Sequence, residues 1–315
     1  MKNVLVLGGT GFVGKVVCRQ LLQHGWAVTV PTRKVPVPPA NTLDGVTLRE
    51  IDVHDEAALT QMLAGHVAVI NLVAILHGDL AAFESVHVAL PRKLVRACVS
   101  QNVTRIVHVS ALGVNDLHPD VGPSEYLRSK GRGEAVLLHS PASAALDITV
   151  LRPSVIFGSG DKFLNMFAKL QSVVPVMPLA GARARFQPVW VEDVALAVVR
   201  ALERAPDPFA RAALPRIIEA CGPDVYTLAD LVRLAARLSG VRGGAGRPVV
   251  ALPRWLARVQ ARLMELAPGE PLMSLDNLDS MKIDNVASGA VPGLDVLGIT
   301  PARLEPVAAH YLSKK

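Results

Sequence analysis

The fold is decided by Val4-Leu5-Val6-Leu7-Gly8-Gly9-Thr10-Gly11-Phe12-Val13-Gly14. The aliphatic first part predicts a buried parallel strand, and the apolar residues after the stretch recur at helical spacing. The glycines between strand and helix follow the pattern G-x-G-x-x-G from Gly9, or a related pattern from Gly8. Such a turn lets the backbone approach a pyrophosphate at a helix N-terminus, where negative charge is favoured. We therefore predict a dinucleotide site with these contacts: Gly8, Thr10, Gly11, Phe12, Val13 and Gly14.

Strand and helix patterns alternate through the first half of the chain. The predicted strands cover residues 3–7, 27–32, 46–51, 67–73, 105–109 and 148–151. This alternation predicts an α/β fold, a Rossmann-type doubly wound parallel sheet whose ligands bind beyond the carboxyl ends of its strands. We assign residues 1–158 to an NAD(P)-binding domain to which residues 186–222 return. Residues 159–185 and 223–315 form a smaller lobe for a substrate or a partner.

The composition is that of a globular protein, with 50% hydrophobic and 19% charged residues among 315. The longest stretch without Asp, Glu, Lys or Arg is residues 57–78, and glycine and polar residues interrupt it, so we expect no transmembrane segment. Three widely separated cysteines indicate a reducing compartment, and no metal-ligand spacing occurs. The net charge of +6 suits an anionic ligand or a membrane surface, while the lack of a basic run argues against nucleic acid. We expect a cytoplasmic protein, with peripheral attachment at the inner face of a membrane as the alternative.

The second predicted strand ends at a basic pair, Arg33 and Lys34. A site for NAD usually has an acidic residue about 20 residues after the glycines. Here Arg33 stands 19 residues after Gly14. Because a guanidinium suits the 2′-phosphate of NADP, we favour NADP(H) over NAD(H). The alternative is a solvated pair of charges at a strand end.

Two further strand ends supply candidate cofactor contacts. Asp52, beside Val53, either accepts a hydrogen bond from the adenine amino group or caps the helix that follows. Leu72, Val73 and Ala74 end the fourth predicted strand. They either let the backbone lie along the cofactor or are simply core residues.

A candidate catalytic group follows the fifth predicted strand. Ser110 comes directly after that strand, and Tyr126 and Lys130 lie four residues apart on the next predicted helix, so they share one face. An ammonium close to a phenol lowers the pKa of the phenol, which can then exchange a proton with a hydroxyl or carbonyl substrate. The serine could orient the same oxygen. The alternative is an ordinary surface Tyr and Lys.

The order of these residues resembles that of the extended or atypical short-chain dehydrogenase/reductases. The family has a glycine turn, then a serine like Ser110, then Tyr126-x-x-x-Lys130, and residues 151–158 resemble its strand and turn beside the nicotinamide. The resemblance implies a catalytic role for all three side chains. Ala111 stands where many relatives carry a second Ser or Thr, which weakens the prediction of turnover more than that of cofactor binding. The contacts implied at the nicotinamide are Lys130, Pro153 and Ile156.

A narrower resemblance rests mainly on residues 126–195. Tyr126-Leu127-Arg128-Ser129-Lys130, residues 157–165 and Gln187-Pro188-Val189 resemble the NADPH-binding accessory subunits of respiratory complex I and their bacterial relatives. This resemblance implies tightly held NADP(H) and a structural or regulatory role.

Two functions follow from these observations. The first is an NADP(H)-dependent oxidoreductase or epimerase-like enzyme that acts on a small hydroxyl or carbonyl substrate. The second is a non-catalytic NADPH-binding structural or redox-sensing component of a membrane-associated respiratory assembly, like complex I.

Residues 254–266 predict a basic amphipathic helix. Arg254, Arg258 and Arg262 share one stripe, next to an apolar face. A helix of this kind can lie on an anionic membrane surface. The usual arrangement, which we expect here, buries the apolar face in the core and turns the arginines to water. That apolar face consists of Trp255, Leu256, Val259, Leu263 and Leu266.

Overall fold

The computed structural model describes residues 2–34, 43–203, 215–266, 269 and 271–313. Thirteen strands lie in these ranges: β1 (Lys2–Leu7), β2 (Trp26–Thr32), β3 (Thr47–Glu50), β4 (Ala68–Asn71), β5 (Arg105–Val109), β6 (Asp147–Pro153), β7 (Ile156–Phe157), β8 (Met177–Leu179), β9 (Arg185–Phe186), β10 (Val189–Trp190), β11 (Ile217–Ala220), β12 (Tyr226–Thr227) and β13 (Val249–Ala251).

Eleven α-helices lie in the same ranges: α1 (Phe12–Gln23), α2 (Glu56–Leu63), α3 (Leu80–Phe83), α4 (Leu90–Ser100), α5 (Glu125–His139), α6 (Leu164–Val173), α7 (Val191–Glu203), α8 (Leu228–Leu238), α9 (Arg254–Glu265), α10 (Leu275–Ser280) and α11 (Leu304–Leu312).

Seven strands form one parallel sheet in the order β11-β6-β5-β4-β1-β2-β3. The side chains of β1 from Val4 to Leu7 are fully buried in the middle of this sheet. All six strands predicted for the first half are present, with ends that differ by two residues at most. The predicted Rossmann-type α/β fold is confirmed.

Helices cover both faces of the sheet. One apolar core lies beneath α1 and α7, and a second lies beneath α2, α4 and α5. A third core joins α6, α8 and α11 beside the sheet. Within the described residues, no helix has the length and apolar character needed to cross a bilayer.

The helix predicted over residues 81–100 is interrupted by a π-helical segment, Glu84–Ala89. Pro91 explains the interruption, because it has no N–H to offer the carbonyl of His87 four residues earlier. The same carbonyl faces Gly133 of α5, where a Cβ would stand 1.9 Å from the oxygen. The segment thus brings the backbone of His87 against the helix that carries the candidate catalytic residues.

Helix α9 does not bury the apolar face that we expected it to bury. Its buried side chains are only Ala257 and Ala261. The larger side chains of Leu256, Gln260 and Met264 are half-buried. The side chains of Trp255, Val259, Leu263 and Leu266 are exposed.

Candidate active site

The glycine turn after β1, residues 8–14, is formed by closely packed main-chain atoms, and we call it the cradle. Gly8 has a φ of +80°, in the left-handed region, and its carbonyl accepts a hydrogen bond from the N–H of Gly11 at 3.1 Å. A Cβ at Gly14 would stand 2.2 Å from the same carbonyl oxygen. Helix α1 begins at Phe12 and has no acidic residue in its first turn. This cradle fits the pyrophosphate of a dinucleotide.

The end of β4, at Leu72 and Val73, lies against the glycine turn. A Cβ at Gly8 would stand 3.2 Å from the carbonyl carbon of Leu72 and 3.3 Å from the nitrogen of Val73. The N–H of Val73 donates to Oδ1 of Asn71 at 3.1 Å, which fixes the path of this segment. Ala74 continues it.

The beginning of α1 also approaches the segment after β6. A Cβ at Gly158 would lie 3.4 Å from Cζ of Phe12, and Ile156 stands two residues before this glycine. The carbonyl of Pro153 accepts a hydrogen bond from the N–H of Leu112 at 2.9 Å. The remaining turn residues are Thr10, which is exposed, and Val13, which packs on the core.

Arg33 and Asp52 lie at the ends of β2 and β3, and both are exposed. Arg33 makes no ion pair with a described residue, and residues 35–42, which follow closely, lie outside the described ranges. Asp52 is not the cap of α2. Asp55 caps it by accepting from two backbone N–H groups, while Asp52 accepts from the N–H of His54 at 2.9 Å. Its neighbour Val53 packs against the core.

Lys130 is buried, and its ammonium donates to the carbonyl of Val109 at 2.9 Å. Val109 is the last residue of β5, so this bond ties the active helix to the strand end that leads into Ser110. Burial lowers the pKa of Lys130 from 10.5 to about 8. A charged group held in this way supplies a strong local positive field.

The pKa of Tyr126 is raised, whereas we expected Lys130 to lower it. Burial brings it to about 12, because the ring packs against Phe83 and against His87, whose ring centroid is 5.6 Å away. The ammonium is instead engaged by the backbone of Val109. Tyr126 is thus a protonated phenol, and its hydroxyl has no hydrogen-bond partner among the residues described.

Ser110 carries a buried hydroxyl without a partner in the described part of the chain. Its N–H donates to the carbonyl of Leu151 at 2.7 Å, so β6 fixes its backbone. The hydroxyl lies near Glu134 but outside hydrogen-bond geometry. Since buried polar groups are nearly always bonded, this orphaned oxygen fits a site that a ligand completes.

His87 is a neutral imidazole beside the candidate catalytic tyrosine. Its Nε2 accepts from the N–H of Ile75 at 3.2 Å, and its Nδ1 lies 2.9 Å from Oγ of Ser129. Burial, and then the charges of Lys130 and Arg132, lower its pKa to about 3. The ring therefore joins the segment after β4 to α5 without adding a charge.

A buried ion pair lies one turn further along α5 from Lys130. Glu134 and Arg152 are both buried, with Nε of Arg152 3.1 Å from each carboxylate oxygen. Arg152 also bonds Asp116 at 2.6 Å, which in turn contacts the ring of His139 at 2.7 Å. Burial raises the pKa of Glu134 against the opposing effect of Arg152. The spacing of Glu134 from Lys130 is visible in the sequence, but its partners are not.

The beginning of α5 is held by a residue that sequence reasoning missed. Both oxygens of Asp276 in α10 accept backbone N–H groups, from Glu125 at 2.6 Å and from Tyr126 at 3.1 Å. Ser280 of the same helix donates to Ser124 at 2.8 Å. No local pattern indicates such a contact.

Asn285 holds the other side of the site in a similar way. Its Oδ1 accepts from Oγ of Ser154 at 2.6 Å and from the N–H of Val155 at 3.1 Å. These contacts fix the turn between β6 and β7. The C-terminal segment thus fastens two neighbouring parts of the site.

The arrangement has two ends along the carboxyl edge of the sheet. One end is the glycine cradle with the end of β4, which can hold a dinucleotide. The other contains a phenol, an ammonium and an orphaned hydroxyl, which can bind and protonate a substrate oxygen.

Comparison with known proteins gives matches in both sequence and fold. The sequence model described as "NAD dependent epimerase/dehydratase family" matches residues 4–210. The chain is 31% identical to NADH dehydrogenase (ubiquinone) 1 alpha subcomplex subunit 9, mitochondrial, of Mus musculus, over 98% of this chain and 79% of that protein. It is 28% identical to ceramide reductase of Caulobacter vibrioides, over 76% of this chain and 71% of that one.

The fold is similar to that of UDP-glucose 4-epimerase from Thermus thermophilus, solved in complex with NAD. The TM-score is 0.70 at 18% identity, and the similarity covers 98% of each chain. Together these matches confirm both resemblances seen in the sequence, the general one to extended short-chain dehydrogenase/reductases and the narrower one to the accessory subunit of complex I.

Proposed function

The chain belongs to the NAD dependent epimerase/dehydratase family, and on that premise we propose that it is an NADP(H)-dependent oxidoreductase or epimerase-like enzyme. Its substrate would be a small molecule with a hydroxyl or carbonyl group. One observation supports the proposal most. The orphaned hydroxyl of Ser110 directly follows the residue to which Lys130 is bonded, and Tyr126 shares a helix face with that lysine.

Each of the three side chains has a distinct role in this proposal. Bound NADP(H) supplies or accepts a hydride. Tyr126 transfers a proton to or from the substrate oxygen, and its raised pKa makes the resting phenol a donor, which suits reduction. Lys130 stabilises negative charge near that oxygen, and Ser110 orients it through the free hydroxyl. The nicotinamide would lie near Pro153 and Ile156.

The preference for NADP(H) belongs to the same proposal. Its support is the position of Arg33 at the end of β2, exposed and without an ion pair in the described chain. A guanidinium there is free to bind the 2′-phosphate. Asp52 would accept a hydrogen bond from the adenine amino group, since it does not cap α2.

The test of catalysis is NADPH consumption across a panel of carbonyl compounds. Ketones on long acyl chains belong in the panel, because one relative is named a ceramide reductase. We expect Tyr126→Phe to lower turnover by about 10²- to 10⁴-fold and to leave NADPH binding intact. Tyr226→Phe, the matched change on β12, should change neither. Unchanged turnover in Tyr126→Phe would remove the assigned role.

A second candidate function is favoured by the relatives. The chain is similar over 98% of its length to proteins named as subunits of a mitochondrial NADH dehydrogenase. By this account the protein is a non-catalytic NADPH-binding component of a membrane-associated, complex I-like assembly. It would reside on the cytoplasmic side, peripheral at the inner face of the membrane.

Fractionation of cell extracts separates the two functions. The component function predicts co-sedimentation with membranes and a stable partner after gentle cross-linking, together with retained NADPH that no carbonyl compound oxidises. A protein found wholly in the soluble fraction without a partner would contradict it.

A further inference from the structure

Helix α9 turns its large apolar side chains away from the protein. Ala257 and Ala261 are 4% and 0% exposed, whereas Trp255, Leu263 and Leu266 are 66%, 64% and 81% exposed. At 3.6 residues per turn, the exposed apolar stripe is centred about 180° around the helix from the two alanines. The stripe therefore lies on the side of α9 opposite to the one that packs against the protein, and it is not the edge of a buried face.

Three arginines line one flank of the apolar stripe. Arg254, Arg258 and Arg262 recur every four residues, and all are exposed. Arg258 lies 3.8 Å from Asp279, at the limit of an ion pair. Arg254 and Arg262 make no ion pair in the described part of the chain. Among the described residues, this long ion pair of Arg258 is thus the one that the three arginines make.

The one acidic residue of α9 does not offset this charge at the stripe. The carboxylate of Glu265 accepts a hydrogen bond from the N–H of Leu275 at 2.7 Å, so it is directed toward α10. Helix α9 packs against α10, whose Asp276 holds the backbone of Tyr126. The exposed surface is thus one helix away from the candidate active site.

We propose that α9 is a docking surface for an anionic lipid bilayer, with its axis parallel to the membrane. The apolar stripe enters the boundary between headgroups and acyl chains, and the arginines meet the lipid phosphates. A bilayer matches both features at once, because its apolar layer and its anionic layer are adjacent and parallel, as are the two stripes of the helix. The proposal does not rest on the proposed chemistry and holds for a catalytic or a non-catalytic protein.

Vesicle flotation of the full-length protein tests the proposal. We expect binding to vesicles of phosphatidylcholine with phosphatidylglycerol, weak binding to phosphatidylcholine alone, and a decrease with salt. Changing all three arginines of α9 to Gln should weaken binding by about fivefold for each, on the order of 100-fold together. The matched control changes Arg92, Arg233 and Arg237 to Gln, which alters the net charge equally at exposed sites elsewhere.

The apolar stripe has its own test. Trp255→Ser with Leu263→Ser should reduce binding by at least about tenfold, while Leu117→Ser with Val173→Ser, two exposed apolar residues on other elements, should not. Of the three tryptophans, Trp255 is exposed, Trp190 is half-buried and Trp26 is 6% exposed. Brominated lipids should therefore quench the emission of the unaltered protein and fail to quench Trp255→Phe.

Four results would overturn the proposal. These are absence of binding to anionic vesicles, equal losses in the α9 variants and their controls, quenching that persists in Trp255→Phe, and a dimer in sedimentation that depends on Trp255. The last result would assign the stripe to a second copy of the chain. NADPH titration of the same variants should be unchanged, so failure here is distinct from failure of the proposed function.

Discussion

The two ends of the candidate active site differ in composition: one is formed by main-chain atoms and the other by side chains. The cofactor end is backbone, formed by residues 8–14 and by the end of β4 at Leu72. The reactive end is made of the side chains of Tyr126 and Lys130, and Asp276 fastens it from 150 residues away along the chain. The first depends on how closely main chains can approach, and the second on burial, charge and distant contacts.

This difference teaches where each end is sensitive. A close approach of two main chains tolerates no added atom, because neither side can move without disturbing the sheet. Side chains are held by several hydrogen bonds and by burial, and each contact contributes only part of the free energy that holds them in place. A substitution that removes one contact therefore has a limited effect. A substitution at the cofactor end should therefore have a large effect on binding, and a substitution at the reactive end a smaller, graded effect on stability or turnover.

The largest effect is expected from Gly14→Val. Its Cβ would stand 2.2 Å from the carbonyl oxygen of Gly8, so the turn must open. NADPH affinity should fall by about 1,000-fold or more, equivalent to about 4 kcal/mol. Fluorescence titration of NADPH measures it, with circular dichroism as the check on folding. A folded Gly14→Val protein that binds within tenfold of the original would contradict the cradle.

Arg33→Asp should have the next largest effect, on cofactor preference alone. The exposed guanidinium is replaced by a carboxylate, which repels a 2′-phosphate and can accept from a 2′-hydroxyl. The ratio of NADPH to NADH affinity should change by about 100-fold and reverse. Arg92→Asp is the control. Equal affinities for the two dinucleotides in the unaltered protein would remove this role.

At the reactive end, Lys130→Met should stabilise the folded protein near pH 7. Burial lowers the pKa of Lys130 from 10.5 to about 8. Below pH 8 the folded state therefore buries a charged ammonium that water solvates in the unfolded state, and this burial lowers the free energy of unfolding. After loss of the bond to Val109, the net gain should be about 2 kcal/mol. Urea unfolding measures it.

The pH dependence makes that prediction sharper. As the pH rises from 8 to 10.5, the folded protein loses the proton before the unfolded chain does, and the cost of burying the charge disappears. The gain from Lys130→Met should therefore shrink over this range. Lys93→Met, which removes an ammonium bonded to the carbonyl of His54, is the matched control. A gain that is constant with pH would contradict the buried charge.

The smallest effect is expected from Asp276→Ala, which removes the clamp on the first turn of α5. Losing such a cap costs about 1 kcal/mol, and we expect turnover to fall about tenfold with unchanged NADPH affinity. Hydrogen exchange should increase at Glu125 and Tyr126, and Asp276→Asn, which keeps a single acceptor oxygen, should preserve the protection of only one of the two. Asp279→Ala, on the same helix, is the control. Equal effects of the two alanine variants would show that α10, and not the carboxylate, matters.

Sequence reasoning succeeded where structure is local. The strands, the glycine turn and the position of Ser110 follow from runs of neighbouring residues, and the parallel sheet then brings the end of β4 to the turn. The cap of α8 is local in the same way, since Thr227 accepts a hydrogen bond from the N–H of Asp230 three residues later.

Sequence reasoning failed where the position or pKa of a residue depends on partners that are distant along the chain. Nothing around Tyr126 indicates that Asp276 holds it or that burial raises its pKa. In α9 the apolar pattern predicts the helix correctly, but the pattern does not say which side faces the protein. The structure shows that the side with Ala257 and Ala261 is the buried one.

The reach of Asp276 back to Tyr126 also has a consequence for the newly made chain. Ribosomes add about 5–20 residues per second, so the 150 residues between them take on the order of 10 s to appear. The glycine turn and the strand beside it are complete long before then. A growing chain therefore contains the glycine turn and β4 well before it contains Asp276, which positions Tyr126.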